Sequence, residues 1–472
     1  MSPMPRRSSP SSPPWPRRRR AGMLKTLLVA ACAACAAGPA QAWSNHALCT
    51  WPALESVPEI TGHAPVPVET LASFLQAEGP AIAKLLHAEE AWARRSVPTY
   101  PPRPDALAFD PQGAAPDELV RRFVAAVRIN PGSKLPLFLQ LRPGQDAGGR
   151  TRLAEADITP LKTKESSKFD AFVALRPGET VAAIDVIASA TDEPDYGLDI
   201  GLWADNGTPH GARYGFGKQP FGNPAVEFSS QAPMHIGFFH EAGIVYQAAP
   251  FLRRTYPEYR IHLWRSLAEH ALRSGHPYWG WRFAGWALHY LQDLTQPYHA
   301  RVLPGVGTAR MLGINALDIA GVSGPKDRAI TFVSNRHLAL ENVQMRWLRA
   351  AHATPRPDTQ PALLALRDTR ADAASPWQEN SPREVVAREA HARADATDAA
   401  VVASLPAKYT SEPAYTFGVS ETGLDLYAAL SAARPAGSAA APALAEQAIA
   451  PLLVRFGVHT RSFVRSLLAQ RR

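Results

Sequence analysis

The sequence predicts a mainly α protein, with long loops between its helices and metal-binding side chains on some of them. Three observations carry this expectation. Long segments place apolar residues at helical spacing. In two of them a carboxylate follows a histidine by one turn, His289 with Asp293 and His337 with Glu341, which sets each pair on one helical face. Beyond residue 42 the only cysteine is Cys49, so a hydrophobic core or bound metal, rather than disulfides, must hold the fold.

Residues 17–20 are basic, residues 24–37 form a short apolar stretch, and Ala40-Gln41-Ala42 has the small-x-small pattern of a cleavage site. The expectation is a leader and signal peptide over 1–42, a single helical domain over 43–472, and export to the periplasm or outside the cell. Met23 is an alternative start, and Cys32, after Val29-Ala30-Ala31, is a competing lipoprotein site. The formal charge is +8, but 1–42 carries seven bases and no acid. The remainder is near neutral, so the high pI does not argue for a nucleic-acid partner. No later apolar run reaches the ~20 residues of a membrane-spanning helix.

Along the chain, residues 68–95 read as two short helices interrupted at Gly79-Pro80, and 117–128 as another before Asn130-Pro131-Gly132. Residues 142–168 read as loop. A helix beginning at 177–180 ends near Ala190 and delivers Asp192, Asp195 and Asp199 to a Pro/Gly loop, where capping and turn chemistry is the plain alternative to metal ligation. Residues 214–223 are glycine-rich without a phosphate-loop pattern. Residues 259–274 and 279–295 are helices, 353–383 a mobile excursion, and 384–405 and 443–470 closing helices. The last of these reads as a packing helix with Arg455, Arg461 and Arg465 outside, and peripheral contact of that basic face with anionic lipid is the alternative.

The centre of the pattern is 286–300, WALHYLQDLTQPYHA. His289 and Asp293 share a helical face. Pro297 biases Gln296 out of the helical region, so the chain turns there and brings His299 back toward the pair. Two imidazoles and a carboxylate arriving from a helix and the turn that ends it form a metal-site pattern. A buried polar network is the competing reading.

His289, Tyr290, Asp293, Leu294, Pro297 and His299 match H-Y-x-x-D-L-x-x-P-x-H. This resembles the signature of the zinc-dependent phospholipases C and their relatives, the single-strand-specific zinc nucleases. Gln292 departs from it, standing where the family usually has glycine. The resemblance implies a phospholipase C/nuclease-like helical bundle holding two to three zinc ions, and hydrolysis of a phosphodiester by zinc-activated water. It implies one zinc on Asp195, His235 and His289 with Asp293. A second would lie on His299, His337 and Glu341. A third would lie on Trp43, made N-terminal by cleavage, and His46, with Asp293 bridging. Asp195 takes the family's P-D-Y aspartate position and would orient or deprotonate the attacking water. His63 is the fallback for His46, and His240 and His210 are the alternatives to His235. Glu341 follows the phospholipase branch, so phospholipid is the first substrate class. Single-stranded nucleic acid is the runner-up, and a non-catalytic, zinc-stabilised binding protein is the remaining reading.

Overall fold

The computed structural model describes residues 45–161, 171–222, 227–417, 423–432 and 443–469. Helix accounts for 62% and strand for 4%, so the mainly α expectation holds. The leader, Cys32 and Trp43 lie outside the described residues.

The longer helices are α1 (His46–Glu55), α2 (Leu71–Ser96), α3 (Pro116–Ala126), α4 (Ala183–Thr191), α5 (Pro257–Arg273), α6 (Pro277–Asp293), α7 (Thr308–Ile319), α8 (Gly324–Ala353), α9 (Arg388–Ser404) and α10 (Ala450–Ala469). Proline supplies the first helical residue of α3, α5 and α6, where its missing N–H costs nothing. Thr70 caps α2 by accepting the Ser73 N–H. Among the described residues no helix is long and apolar enough to cross a membrane.

α6 is the axis of the molecule. Residues 278–293 are all buried, among them Arg282, which is paired with Glu193, and the polar His289, Gln292 and Asp293. It packs along α5 and α4, with α1 and α10 closing around it. Trp264 of α5 stacks on Phe283 and meets Trp286 edge-on at 4.7 Å between ring centroids. Gly285 is where α4 comes closest: a Cβ there would lie 2.5 Å from Ala190 Cβ and 2.6 Å from the Ile187 carbonyl.

Two small antiparallel sheets brace this core. β1 (Val66–Pro67) pairs with β5 (Thr180–Val181), Val66 opposite Val181. β2 (Phe138–Leu141), β4 (Ala171–Ala174) and β3 (Arg152–Leu153) form the other in that order, with Leu139 opposite Val173. Gln140 on β2 donates its backbone N–H to Ser189 Oγ at 2.9 Å and its side-chain amide to Asp192 Oδ2 at 2.9 Å. The sheet thereby holds the end of α4 from which the loop carrying Asp195 departs.

Several expectations need correction. Residues 68–95 are not two helices: α2 runs through Gly79 and Pro80. Gly79 is buried, and a Cβ there would meet Pro111 Cβ at 2.7 Å, so close packing overrides the local helix-breaking preference. The segment from 177 first forms β5 and only then α4. The loop read over 142–168 contains β3 and a one-turn helix, Glu155–Ile158. The excursion over 353–383 instead packs on the core: Ala362, Leu363 and Leu366 are fully buried, and the helix Pro361–Arg367 lies against α1 and α10. Arg461 is likewise not outside. It is fully buried, with Nε and Nη2 each 2.8 Å from an oxygen of Asp372 and Nη1 donating to the Leu366 carbonyl at 2.6 Å. Its pairing to that same segment takes Arg461 out of the basic face, on which Arg465 stays 39% exposed.

Candidate metal centre

Each ligand candidate is delivered by a different device. α6 presents His289 and Asp293 one turn apart, as their spacing predicts. Gln296 is extended, with φ −80° and ψ 121°, and Pro297 opens the one-turn helix Pro297–Ala300 that carries His299 back. His235 ends the short helix Ala232–His235, and the next turn is tied to the motif because the Gly237 N–H donates to the His299 carbonyl at 2.9 Å. Asp195 sits on the 3₁₀ turn Pro194–Tyr196 just after α4. His337 and Glu341 share a face of α8, and His46 opens α1. None of the eight is more than 7% exposed, so their polar atoms must be satisfied from within.

The side chains converge on Asp293. Its Oδ2 lies 2.9 Å from His235 Nδ1 and 3.3 Å from His289 Nε2. Its Oδ1 lies 3.5 Å from His46 Nε2 and 3.7 Å from His299 Nδ1. Asp195 Oδ1 is 4.0 Å from His235 Nδ1 and 3.9 Å from His289 Nε2, and it accepts the Gln231 amide at 3.0 Å. The two imidazole nitrogens of His235 and His289 are 3.0 Å apart. On the far side His337 Nε2 approaches Glu341 Oε1 at 2.7 Å, and the His299 and His337 rings are 4.9 Å apart, edge to face. Donors about 2.0–2.1 Å from a tetrahedral ion sit roughly 3.3 Å from each other, and these separations bracket that edge.

Three groups have ligand atoms all within 4.8 Å of one another: Asp195, His235 and His289; His299, His337 and Glu341; and His46, His289 and Asp293. Buried polar atoms ordinarily have partners. Yet His46 Nε2, Asp293 Oδ1 and Glu341 Oε2 make no hydrogen bond, and His337 Nε2, though close to Glu341, is not aligned for one. Imidazole nitrogens and carboxylate oxygens left without hydrogen bonds and aimed at common points are the donor set a divalent ion requires, so these residues fit a metal.

Outer contacts fix which nitrogen faces inward. His289 Nδ1 lies 2.7 Å from the Thr191 carbonyl, which can only accept, so Nδ1 carries the hydrogen and Nε2 presents its lone pair to the cluster. His46 Nδ1 lies 2.9 Å from Gln292 Oε1, while the Gln292 amide donates to Thr50 and Thr460, each at 3.0 Å. His235 Nε2 faces Asp199 Oδ2 at 3.3 Å, and Asp199 is held by Arg260 and by the Tyr290 hydroxyl, each at 2.6 Å.

The electrostatics follow from burying acids together. Burial drives the Glu341 carboxyl well above its ordinary value, and Asp293 and Asp195 add to the rise. Burial would raise Asp293 too, but His289, His235 and His46 hold it well below the usual carboxylate range. Burial would lower His235, yet Asp199 and Asp293 push it up to about 10. Burial and the neighbouring His299 depress His337. Protons stand in for positive charge in such a pocket until cations arrive.

The structure gathers Asp195, His235, His289, Asp293, His299, His337, Glu341 and His46, and Trp43 lies outside the described residues. It does not bring in the alternatives. His63 Nδ1 bonds the Ala64 carbonyl, His240 Nε2 bonds the Arg383 carbonyl, and His210 packs beside Tyr214. The outer residues Arg260 and Gln231 were not legible as site residues, whereas Tyr290 and Gln292 lie within the motif and Asp199 within the acidic loop; Asp199 stands behind His235 and not among the three ligand groups. No family profile, curated protein or solved structure matches the chain, so the chemistry of the site rests on its own residues.

Proposed function

We propose that the protein is an exported zinc-dependent phosphodiesterase of the phospholipase C kind, acting on phospholipids. The observation that carries this is the buried convergence on Asp293, where four imidazoles come within 2.9–3.7 Å of one carboxylate. Ions held there would supply Lewis acidity, for activating water and for neutralising charge on the phosphoryl oxygens.

The chain's own residues do the rest. Asp195 and His235 with His289 would hold one ion, and His299, His337 and Glu341 another. His46 would serve a third, with Asp293 offering an oxygen to more than one of them. Asp195, whose Oδ1 accepts the Gln231 amide, would orient the attacking water and accept its proton. Asp199, Thr191 and Gln292 keep the imidazoles in register and in the required tautomers. What supports the lipid branch is Glu341, the carboxylate of the phospholipase pattern, inside the His299 group.

A second reading has an observation in its favour: the centre is almost wholly buried, which also suits a closed structural site in a non-catalytic binding protein. Metal analysis of the mature protein, followed by headgroup release from phosphatidylcholine and degradation of single-stranded DNA under the same conditions, separates the readings. Zinc at two to three per chain with headgroup release is expected. A metal-free protein overturns both enzymatic readings, DNA degradation alone moves the assignment to the nuclease branch, and zinc without turnover leaves the structural role.

A further inference from the structure

We propose that the apolar cavity beside His337 seats a hydrocarbon chain of the substrate, so that the site takes lipids through one acyl or alkyl chain as well as through the phosphodiester. This rests on the phosphodiesterase reading of the adjoining cluster. The cavity has a volume of about 210 Å³, and its walls include Phe221, Phe238, Leu252, Met311 and Ile330. Lys326, the one charged wall residue among the described residues, is neutralised by Asp318 at 2.7 Å.

The cavity adjoins the metal centre on three elements. His337 itself is on its wall, Ala232 and Ile236 flank His235 in the same short segment, and Tyr298 immediately precedes His299. Ala232, Ile236, Phe238, Val245, Leu252 and Met311 belong to an apolar cluster separate from the main core. An open apolar hollow there leaves contacts unmade, and a bound chain would restore them.

The size and surroundings select the occupant. A dry cavity of about 150 Å³ accommodates a benzene ring, so about 210 Å³ takes roughly eight carbons in the same proportion. A longer chain must leave the cavity. Among the described residues, four of the six exposed large hydrophobics lie at or next to the elements that build it: Ile244, Leu317, Ile319 and Val322. Leu317 and Ile319 follow the wall residue Ile314 on α7, and Ile244 precedes Val245. Exposed hydrocarbon on those elements suits the remainder of a lipid chain.

The test uses the metal-loaded mature protein and monomeric phosphatidylcholines whose chains lengthen from about four to about ten carbons. The expected result is a kcat/KM that rises by roughly fourfold per methylene buried and flattens near eight carbons, with 1-octanol binding to the same protein by calorimetry and competing with the longer substrates. Met311→Trp, which fills the cavity, should lower the long-to-short ratio at least tenfold, while Met311→Leu should preserve it. Chain-independent turnover without octanol binding overturns the cavity assignment and leaves the phosphodiesterase reading intact. A rise that appears only when substrates form micelles overturns it too, because a surface and not a cavity is then being sensed. Octanol binding without turnover of any phosphodiester overturns the activity and keeps the hydrocarbon site. Should Met311→Trp fail to fold, the wild-type chain-length series and the octanol competition decide alone.

Discussion

Replacing Gly285 by alanine sets two effects against each other, and the structure says which wins. In a helix interior alanine is favoured over glycine by about 1 kcal/mol, so on propensity alone Gly285→Ala stabilises α6. The new Cβ, however, would stand 2.5 Å from Ala190 Cβ and 2.6 Å from the Ile187 carbonyl. Carbon atoms prefer about 3.5–4.0 Å, so α4 must retreat by roughly 1 Å. Overpacking of this kind costs about 1–3 kcal/mol, and backbone rather than a flexible side chain has to give, which favours the upper half of that range. The net expectation is a loss of about 1–2 kcal/mol, read as a lowered midpoint in denaturant. A second consequence is specific to the site. Thr191 ends α4 and orients His289 through a 2.7 Å contact, so a retreat of about 1 Å takes that contact beyond hydrogen-bonding range. Loss of such an outer partner lowers metal affinity by about 10- to 100-fold, measurable by competition with a chromophoric zinc chelator. A variant as stable as the parent, with unchanged zinc affinity, would refute the proposed close α4–α6 contact and the role assigned to Thr191.

Three further outcomes are expected. Gln292→Ala should weaken the zinc held by His46 by about 10- to 100-fold, while Gln292→Glu, which keeps an acceptor facing His46 Nδ1, should retain it; equal affinities in both variants would show that Gln292 does not position His46. Because imidazoles must be deprotonated to bind, zinc should be released as the solution is acidified, and chelation at neutral pH should lower the melting temperature; a melt unmoved by chelator would show that the cluster binds no stabilising ion. The Glu55 carboxyl, which burial alone would raise, is held below its ordinary 4.5 by Arg367 and Arg142. Its folded value is therefore the lower one, so its contribution is present above about 4.5 and lost as pH falls through the folded value; Glu55→Gln should be less stable at pH 7, with the deficit closing in acid, and a deficit independent of pH would mean packing rather than charge.

What was legible in the sequence is what the helix repeat and the chain order determine. His289 with Asp293, and His337 with Glu341, had to share faces once their segments were helical, and Pro297 had to turn the chain before His299. What was not legible depends on contacts between distant segments. Asp199 reaches His235 past Gly197, whose φ of +105° bends the loop after Asp195, and it is held there by Arg260 from a helix sixty-one residues later. Gln292 stands out in the sequence only as a departure from the glycine that the motif it resembles usually has. Its role is set by His46, Thr50 and Thr460, which come from both ends of the described chain. Arg461 and the 353–383 segment were misread together and for one reason: each buries the other, and neither pattern reads as buried alone.

The number of donors bears on whether the centre is open or closed. His289 is shared between two of the three groups, but its Nδ1 is committed to Thr191, so Nε2 can serve only one ion. If it stays with Asp195 and His235, as its 3.0 Å approach to His235 Nδ1 favours, the remaining group keeps only His46 and Asp293. A closed tetrahedral site needs four ligands. Three such sites need about twelve positions, and the eight gathered side chains, five imidazoles and three carboxylates, fall short of that even if every carboxylate bridges. Asp293 is placed to bridge, since its two oxygens face different imidazoles. Glu341 is not, because its neighbours lie on the His299 side alone. These eight side chains, loaded with three ions, would therefore keep coordination positions for water, which is what hydrolysis requires and a purely structural site excludes.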